Sequence, residues 1–222
     1  MPTTQMAYDT AHLIGATVLM MGFALLYQRR VTAVIRTYSF QAMALAAAAA
    51  WQAYVQEAPH LYVTALIALV FKGVIVPLAL TWLVKRLGMH RTVETALGIG
   101  PTMIAGVGLV ALSIVLVLPV TAGATSMTRE NLALAMSVLL LGLLMMITRR
   151  NAVTQVVGFM ALENGLILAA VGARGMPFVV EISIAFSVLV AMILFGIFFF
   201  RIRERFDSLD LAYLETFRGE RQ

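Results

Sequence analysis

The sequence of 222 residues contains no cysteine, and charged residues make up only 12% of it. Without thiolates the chain cannot form disulfides, ligate an iron–sulfur cluster or carry out thiol chemistry. So few charges, beside 61% hydrophobic residues, cannot coat the surface of a soluble protein of this size. Polar and apolar residues also do not alternate as in the strands of a membrane barrel. The composition therefore predicts an integral membrane protein built from helices.

Seven apolar stretches are long enough to cross a bilayer, whose hydrocarbon core of about 30 Å requires roughly 20 residues per helix. They cover about residues 10–28, 38–56, 61–84, 96–120, 130–147, 151–172 and 177–201. Because the connections are short, we expect a single all-α membrane domain over residues 1–222. It consists of a four-helix part (1–125), a three-helix part (126–205) and a cytoplasmic tail (206–222).

Basic residues predict the orientation of these helices. Only Arg129 and Arg174 lie on one side of the predicted membrane, and Lys72 lies within it. The other 13 of the 16 Lys and Arg residues lie on the opposite side: Arg29, Arg30, Arg36, Lys85, Arg86, Arg91, Arg149, Arg150, Arg201, Arg203, Arg205, Arg218 and Arg221. The positive-inside rule then predicts an outer N-terminus and a cytoplasmic C-terminus. Since the membrane explains this charge, we expect no nucleic acid partner.

Small residues and proline predict how some helices pack. The third segment carries Pro77 shortly after Lys72, and a proline there frees a backbone carbonyl and favours a kink. The fourth segment contains glycines that favour close approach of neighbouring helices, namely Gly98, Gly100, Gly106 and Gly108.

Three ionisable residues lie within the predicted membrane segments: Lys72, Glu163 and Glu181. At 1.5 Å per residue, Glu163 and Lys72 both lie about 18 Å inside the membrane, close to its midplane, whereas Glu181 lies near the outer surface. Charge in hydrocarbon is costly enough to indicate an ion or proton pathway. A lysine and a glutamate at one depth can neutralise each other and share a proton.

These residues also have simpler interpretations. Lys72 and Glu163 could form a structural ion pair that joins two helices, and Glu181 could simply reach water. Asn151 and Gln155 could lead water from the cytoplasm towards Glu163. The predicted proton path thus comprises Glu163, Lys72, Glu181, Gln155 and Asn151. The sequence shows no phosphate loop, metal-ligand spacing or hydrolase triad, so we predict no catalytic, cofactor or metal site in this chain.

The residues around Glu163 carry a resemblance to known families. The turn TRRN at 148–151, followed by VVGFMALENG at 156–165, resembles the K subunit of respiratory complex I and the C subunit of Mrp-type cation/proton antiporters. Those three-helix proteins have the same basic turn and the same mid-helix glutamate. With four helices in front and a tail that begins FDSLD at 206–210, the whole chain resembles hydrogenase-4 component E.

This resemblance implies a non-catalytic membrane-arm subunit of a hydrogenase-4-type [NiFe]-hydrogenase or formate hydrogenlyase, in a bacterial or archaeal cytoplasmic (inner) membrane. Glu163 falls where the family places its first membrane glutamate, whereas the second would fall nearer Val188 than Glu181. The implied partners are antiporter-like membrane subunits and cytoplasmic hydrogenase subunits. Iron–sulfur clusters and the [NiFe] centre are expected in those partners and no cofactor in this chain. The alternatives are a subunit of a cation/proton antiporter without redox chemistry and a purely structural adaptor.

Overall fold

The computed structural model describes residues 4–86, 97–121, 123, 126–172, 193 and 196. The chain divides into two compact units, Met1–Ile184 and Ala185–Gln222. In the second unit only Ile193 and Gly196 are described, and both are helical. The predicted seventh segment, 177–201, therefore lies outside the described residues apart from these two, as does the tail 206–222.

The described part of the first unit is a helical bundle. Its seven α-helices are α1 Thr4–Tyr27, α2 Val31–Gln56, α3 His60–Ile67, α4 Val76–Arg86, α5 Ile99–Val120, α6 Ser126–Thr148 and α7 Ala152–Gly172. A π-helical segment, Ala68–Ile75, joins α3 to α4, so that the three elements form one continuous rod.

Within the part of the chain that the structure describes, five helical stretches are long and apolar enough to cross a membrane: Met6–Tyr27, His60–Lys85, Ile99–Val120, Thr128–Thr148 and Ala152–Gly172. This agrees with the predicted helical membrane protein. The predicted second segment falls within α2, which has 26 residues but is not among the five stretches, because alanines and glutamines make it less apolar. Seven spans and the orientation of the termini stay predictions.

Glycines bring α6 and α7 into backbone contact. A β-carbon at Gly142 would lie 2.3 Å from the Leu162 nitrogen, and one at Gly165 would lie 2.5 Å from the Leu139 nitrogen. Any side chain would therefore force the two helices apart. The close contact expected of the α5 glycines occurs at Gly106. At Gly100 and Gly108 an added β-carbon meets nothing within 4 Å among the described residues, so close contact at these two glycines stays a prediction.

Helix α2 lies at the centre of the unit and packs against α1, α7 and the π-helical segment. Its apolar core contacts include Leu45 and Ala49, which cluster with Val18 of α1 and Ile167 of α7. By contrast, α5 and the α3–α4 rod expose large apolar side chains on their outer faces, among them Ile104, Val115, Leu66 and Leu78. Such surfaces suit contact with lipid or with other membrane chains.

The two ends of this bundle differ in charge. At one end the turns Gln28–Arg30 and Arg149–Asn151 are adjacent, because Arg149 bonds to carbonyl oxygens of the last turn of α1. At the other end lie the start of α1 and the start of α6, joined by His12 Nδ1 and Glu130 Oε2 at 3.2 Å. The end of α2 also lies there, followed by Glu57.

Candidate functional site

Lys72 and Glu163 form a buried ion pair in the bundle. The distance from Lys72 Nζ to Glu163 Oε1 is 2.9 Å, and the two side chains are 2% and 1% exposed. The two residues that the sequence places at one depth are thus in contact, and their role in a proton path stays a prediction. Since neither charge is stable alone in an apolar interior, each makes the burial of the other possible.

The π-helical segment that carries Lys72 has a local cause. Pro77 has no backbone N–H, so the carbonyl of Gly73 loses the donor that an α-helix would supply four residues later. The Ser39 hydroxyl of α2 donates to this carbonyl instead. The Val76 N–H bonds to Phe71 O, five residues earlier, which is the π pattern. The predicted free carbonyl is therefore present, and a neighbouring helix satisfies it.

Amide side chains extend the ion pair into a network across four elements. Lys72 Nζ also donates to Asn164 Oδ1 at 3.0 Å. Asn164 Nδ2 donates to Gln41 Oε1 at 3.4 Å, and Gln41 Nε2 donates to Val18 O at 3.3 Å. The π-helical segment, α7, α2 and α1 are thus linked by fully buried polar groups.

The sequence analysis did not identify Gln41 as part of the site. The only available signal was a glutamine inside an alanine-rich apolar helix, a position where a polar side chain needs a buried partner.

Glu163 keeps one oxygen without a hydrogen bond. Among the described residues Oε2 has no hydrogen-bond partner, whereas Oε1 lies 2.9 Å from Lys72 Nζ. A buried polar atom of this kind is uncommon and calls for a physical explanation. The free oxygen is an acceptor at which a proton can bind while the other oxygen stays against the lysine.

Asn151 and Gln155 lie at the α6–α7 turn, away from the ion pair. Asn151 Oδ1 accepts the Val153 N–H at 2.9 Å, which caps the start of α7. Gln155 is exposed, and its Nε2 donates to Arg149 O at 2.8 Å. Gln155 and Glu163 are eight residues apart on α7, about 12 Å at 1.5 Å per residue. Their part in a proton path stays a prediction, and Glu181 lies outside the described residues.

Arg149 and Arg150 have opposite environments, although the sequence gives both the same role as positive charges beside the membrane. Arg150 is exposed, whereas Arg149 is 2% exposed and burial lowers the pKa of its guanidinium. Arg149 Nη2 donates to Leu25 O at 3.1 Å and Leu26 O at 2.6 Å. A cation at these carbonyls complements the negative end of the α1 dipole and joins α1 to the α6–α7 turn.

Within the described ranges, no three His, Cys, Asp or Glu residues lie close enough together to hold a metal ion. The described side chains of the network supply one carboxylate, one ammonium group and two amides. Such a set can hold, release and reorient a proton.

Comparisons with known proteins agree with the resemblance carried by the Glu163 region. Hydrogenase-4 component E of Escherichia coli strain K12 is 30% identical over 186 residues, which cover 82% of this chain and 85% of the relative. The protein of the same name from Shigella flexneri gives the same values. An uncharacterized protein of Mycobacterium tuberculosis is 26% identical over 200 residues, 87% of this chain and 89% of its own. No protein-family model and no solved structure matches the chain.

Proposed function

Since the chain belongs to the hydrogenase-4 component E family, we propose that it is a non-catalytic subunit in the membrane arm of a hydrogenase-4-type [NiFe]-hydrogenase or formate hydrogenlyase. Its relatives are named as components of a hydrogenase, which supports a role within a larger assembly. The exposed apolar faces of α5 and the α3–α4 rod offer surfaces for other membrane subunits. Electron transfer would take place in partner subunits that hold iron–sulfur clusters and nickel.

Within this assembly the subunit contributes to proton translocation through Glu163. The observation that carries this proposal is the buried pair of Lys72 and Glu163, 2.9 Å apart, in which the second carboxylate oxygen has no hydrogen-bond partner among the described residues. Glu163 acts as the proton relay. Lys72 sets how strongly the carboxylate holds its proton, because a nearby positive charge favours the ionised form and loss of the lysine charge favours the protonated form.

The test is proton pumping by the assembled complex with Glu163→Gln, reconstituted in vesicles. Glutamine keeps the shape of the side chain and removes its titratable group. We expect a lower yield of complex, because Lys72 loses its counter-ion, and normal hydrogen turnover with reduced pumping by the complex that does assemble. Glu57→Gln is the matched control, because the same change at an exposed carboxylate should leave pumping unaltered. Undiminished pumping by the Glu163→Gln complex would overturn the relay role.

A structural role is the second candidate, favoured by the same ion pair. The contact from Lys72 to Glu163 and Asn164 also joins the π-helical segment to α7. Under this alternative the Glu163→Gln complex assembles poorly, while any complex that does assemble pumps normally.

An antiporter subunit without redox partners is the third candidate. Mass spectrometry of the native complex, isolated in mild detergent, separates it from the first. Hydrogenase subunits should copurify with this chain, and hydrogen turnover should require them. Recovery of antiporter subunits alone would contradict the hydrogenase assignment.

A further inference from the structure

A small cavity lies between α1, α2, α6 and α7. Its volume of about 10 Å³ gives room for about one water molecule. Among the described residues, two polar side chains line it, those of Gln52 and Asn131, and the other lining residues are small or apolar: Ala11, Ala48, Leu168, Val171 and Gly172.

The cavity lies near the end of the bundle opposite to Arg149. Gln52 is in the last turns of α2, Asn131 is in the second turn of α6, and Gly172 is the last residue of α7. The contact between His12 and Glu130 lies at the same end. His12 follows Ala11 of the cavity wall, and Glu130 precedes Asn131. In the predicted topology this is the outer side of the membrane.

The polar groups of this cavity need a partner. Asn131 is 7% exposed, and its Nδ2 has no hydrogen-bond partner among the described residues. Gln52 Oε1 accepts one bond from Gln56 Nε2 at 3.1 Å, which leaves its second lone pair free. A buried donor without a partner costs about 1–3 kcal/mol. A molecule that accepts from Asn131 and donates to Gln52 removes this cost, and water has both capacities.

Gly172 makes room for this arrangement. A β-carbon there would lie 3.1 Å from the Asn131 β-carbon, tighter than ordinary van der Waals contact, so a larger residue would push Asn131 aside. The shape of the site therefore depends on residues from three helices.

The cavity and the Lys72–Glu163 network lie along one seam. On α1, Val18 of the network is seven residues from Ala11 of the cavity. On α7, Asn164 of the network is likewise seven residues from Val171 of the cavity. Seven residues are about two turns, so each pair lies on one face of its helix. Gln41 and Gln52 of α2 are eleven residues apart, about three turns. The separation along the helices is therefore about 10–16 Å. Apolar residues of the core fill it, including Leu45, Ala49 and Leu168.

We propose that this cavity binds one water molecule and that this water is the outer-side station of the proton route. By station we mean the position that takes up a proton from the outer side before it moves to Lys72 and Glu163. The proposal rests on the proposed relay function. A proton arriving from the outer side binds the water oxygen as hydronium, and the same proton or another leaves towards the network. Because buried apolar side chains lie between them, a proton passes only when further water enters this layer, which limits leakage between turnovers.

The first test is a high-resolution cryo-EM structure of the complete complex. We expect density for one water within hydrogen-bond distance of Asn131 Nδ2 and Gln52 Oε1. A cavity without water at a resolution that shows other ordered waters would overturn the site. This measurement uses the unaltered protein and does not depend on how any variant folds.

The second test compares proton pumping by complexes with Asn131→Leu, Glu163→Gln and the control Ser137→Ala. Ser137 is also a buried polar residue of α6, but it bonds within α6 and to α5 and does not line the cavity. We expect Asn131→Leu to lose both the water and most of the pumping, while Ser137→Ala keeps both. Gln52→Leu replaces Asn131→Leu if the latter does not assemble.

The outcomes separate the two proposals. Reduced pumping with Glu163→Gln and full pumping with Asn131→Leu would overturn the outer-side station and leave the relay intact. Full pumping with both variants would overturn the relay itself and the route that depends on it.

Discussion

Ser39 of α2 donates its hydroxyl to the carbonyl oxygen of Gly73, the residue that follows Lys72 in the π-helical segment. Pro77 has removed the N–H that would otherwise serve this carbonyl. The hydroxyl thus holds the rod that carries the lysine against α2. The position of the Lys72 ammonium group therefore depends on the hydrogen bond between Ser39 and Gly73, the next residue in the chain.

Ser39→Ala should destabilise the protein, because it removes the hydroxyl that donates to the Gly73 carbonyl. We expect the free energy of unfolding in detergent to fall by about 1–3 kcal/mol. Pro77→Ala restores a backbone N–H, so the double variant Ser39→Ala with Pro77→Ala should recover part of the loss. A double variant with the sum of both single losses would contradict this explanation.

Lys72→Met should impair assembly, because it leaves Glu163 as a buried charge without a counter-ion. Breaking a buried pair in this way costs about 3–5 kcal/mol. The double change Lys72→Met with Glu163→Gln removes both charges and should restore the yield of assembled complex, measured by native gel electrophoresis. Lys85→Met, at an exposed lysine, is the control. If the pair is also the relay, the restored complex should still pump poorly.

Gly142→Ala should separate α6 from α7, since its β-carbon would lie 2.3 Å from the Leu162 nitrogen. Overpacking of this kind typically costs about 1–3 kcal/mol, which a lower melting temperature in detergent would report. Gly108→Ala introduces the same methyl group where nothing lies within 4 Å. It should be neutral or stabilising by about 0.4–1 kcal/mol. Equal losses at both positions would show that close helix contact is not the cause.

Cysteine labelling should place the two ends of the bundle on opposite sides of the membrane. The chain has no cysteine, so single cysteines at exposed Arg29, Arg150, Glu57 and Gly123 can be compared without background. In intact cells, an impermeant maleimide should label positions 57 and 123 from outside and leave positions 29 and 150 unlabelled. The reverse pattern would invert the predicted orientation.

Part of the site could be predicted before any helix was placed. Lys72 and Glu163 stood out because charge in an apolar segment is costly wherever the helix lies, and the rise per residue gave both the same depth. Depth alone did not indicate which other side chains complete the network. Asn164, next to Glu163, could be expected to bond across helices, whereas Gln41 joined the network only because α2 presents it to Asn164 of α7.

By itself, the sequence determined that this is a helical membrane protein with a lysine and a glutamate deep inside, and its similarity to named relatives determined the family. These properties follow from composition, segment length and residue identity, which do not depend on packing. Tertiary structure alone decided that Arg149 is buried while Arg150 is exposed. It also decided that the critical glycines lie on α6 and α7 and that Asn131 faces a cavity. The burial of a side chain and the residues it contacts depend on distances between helices. The spacing of residues along one helix does not determine those distances.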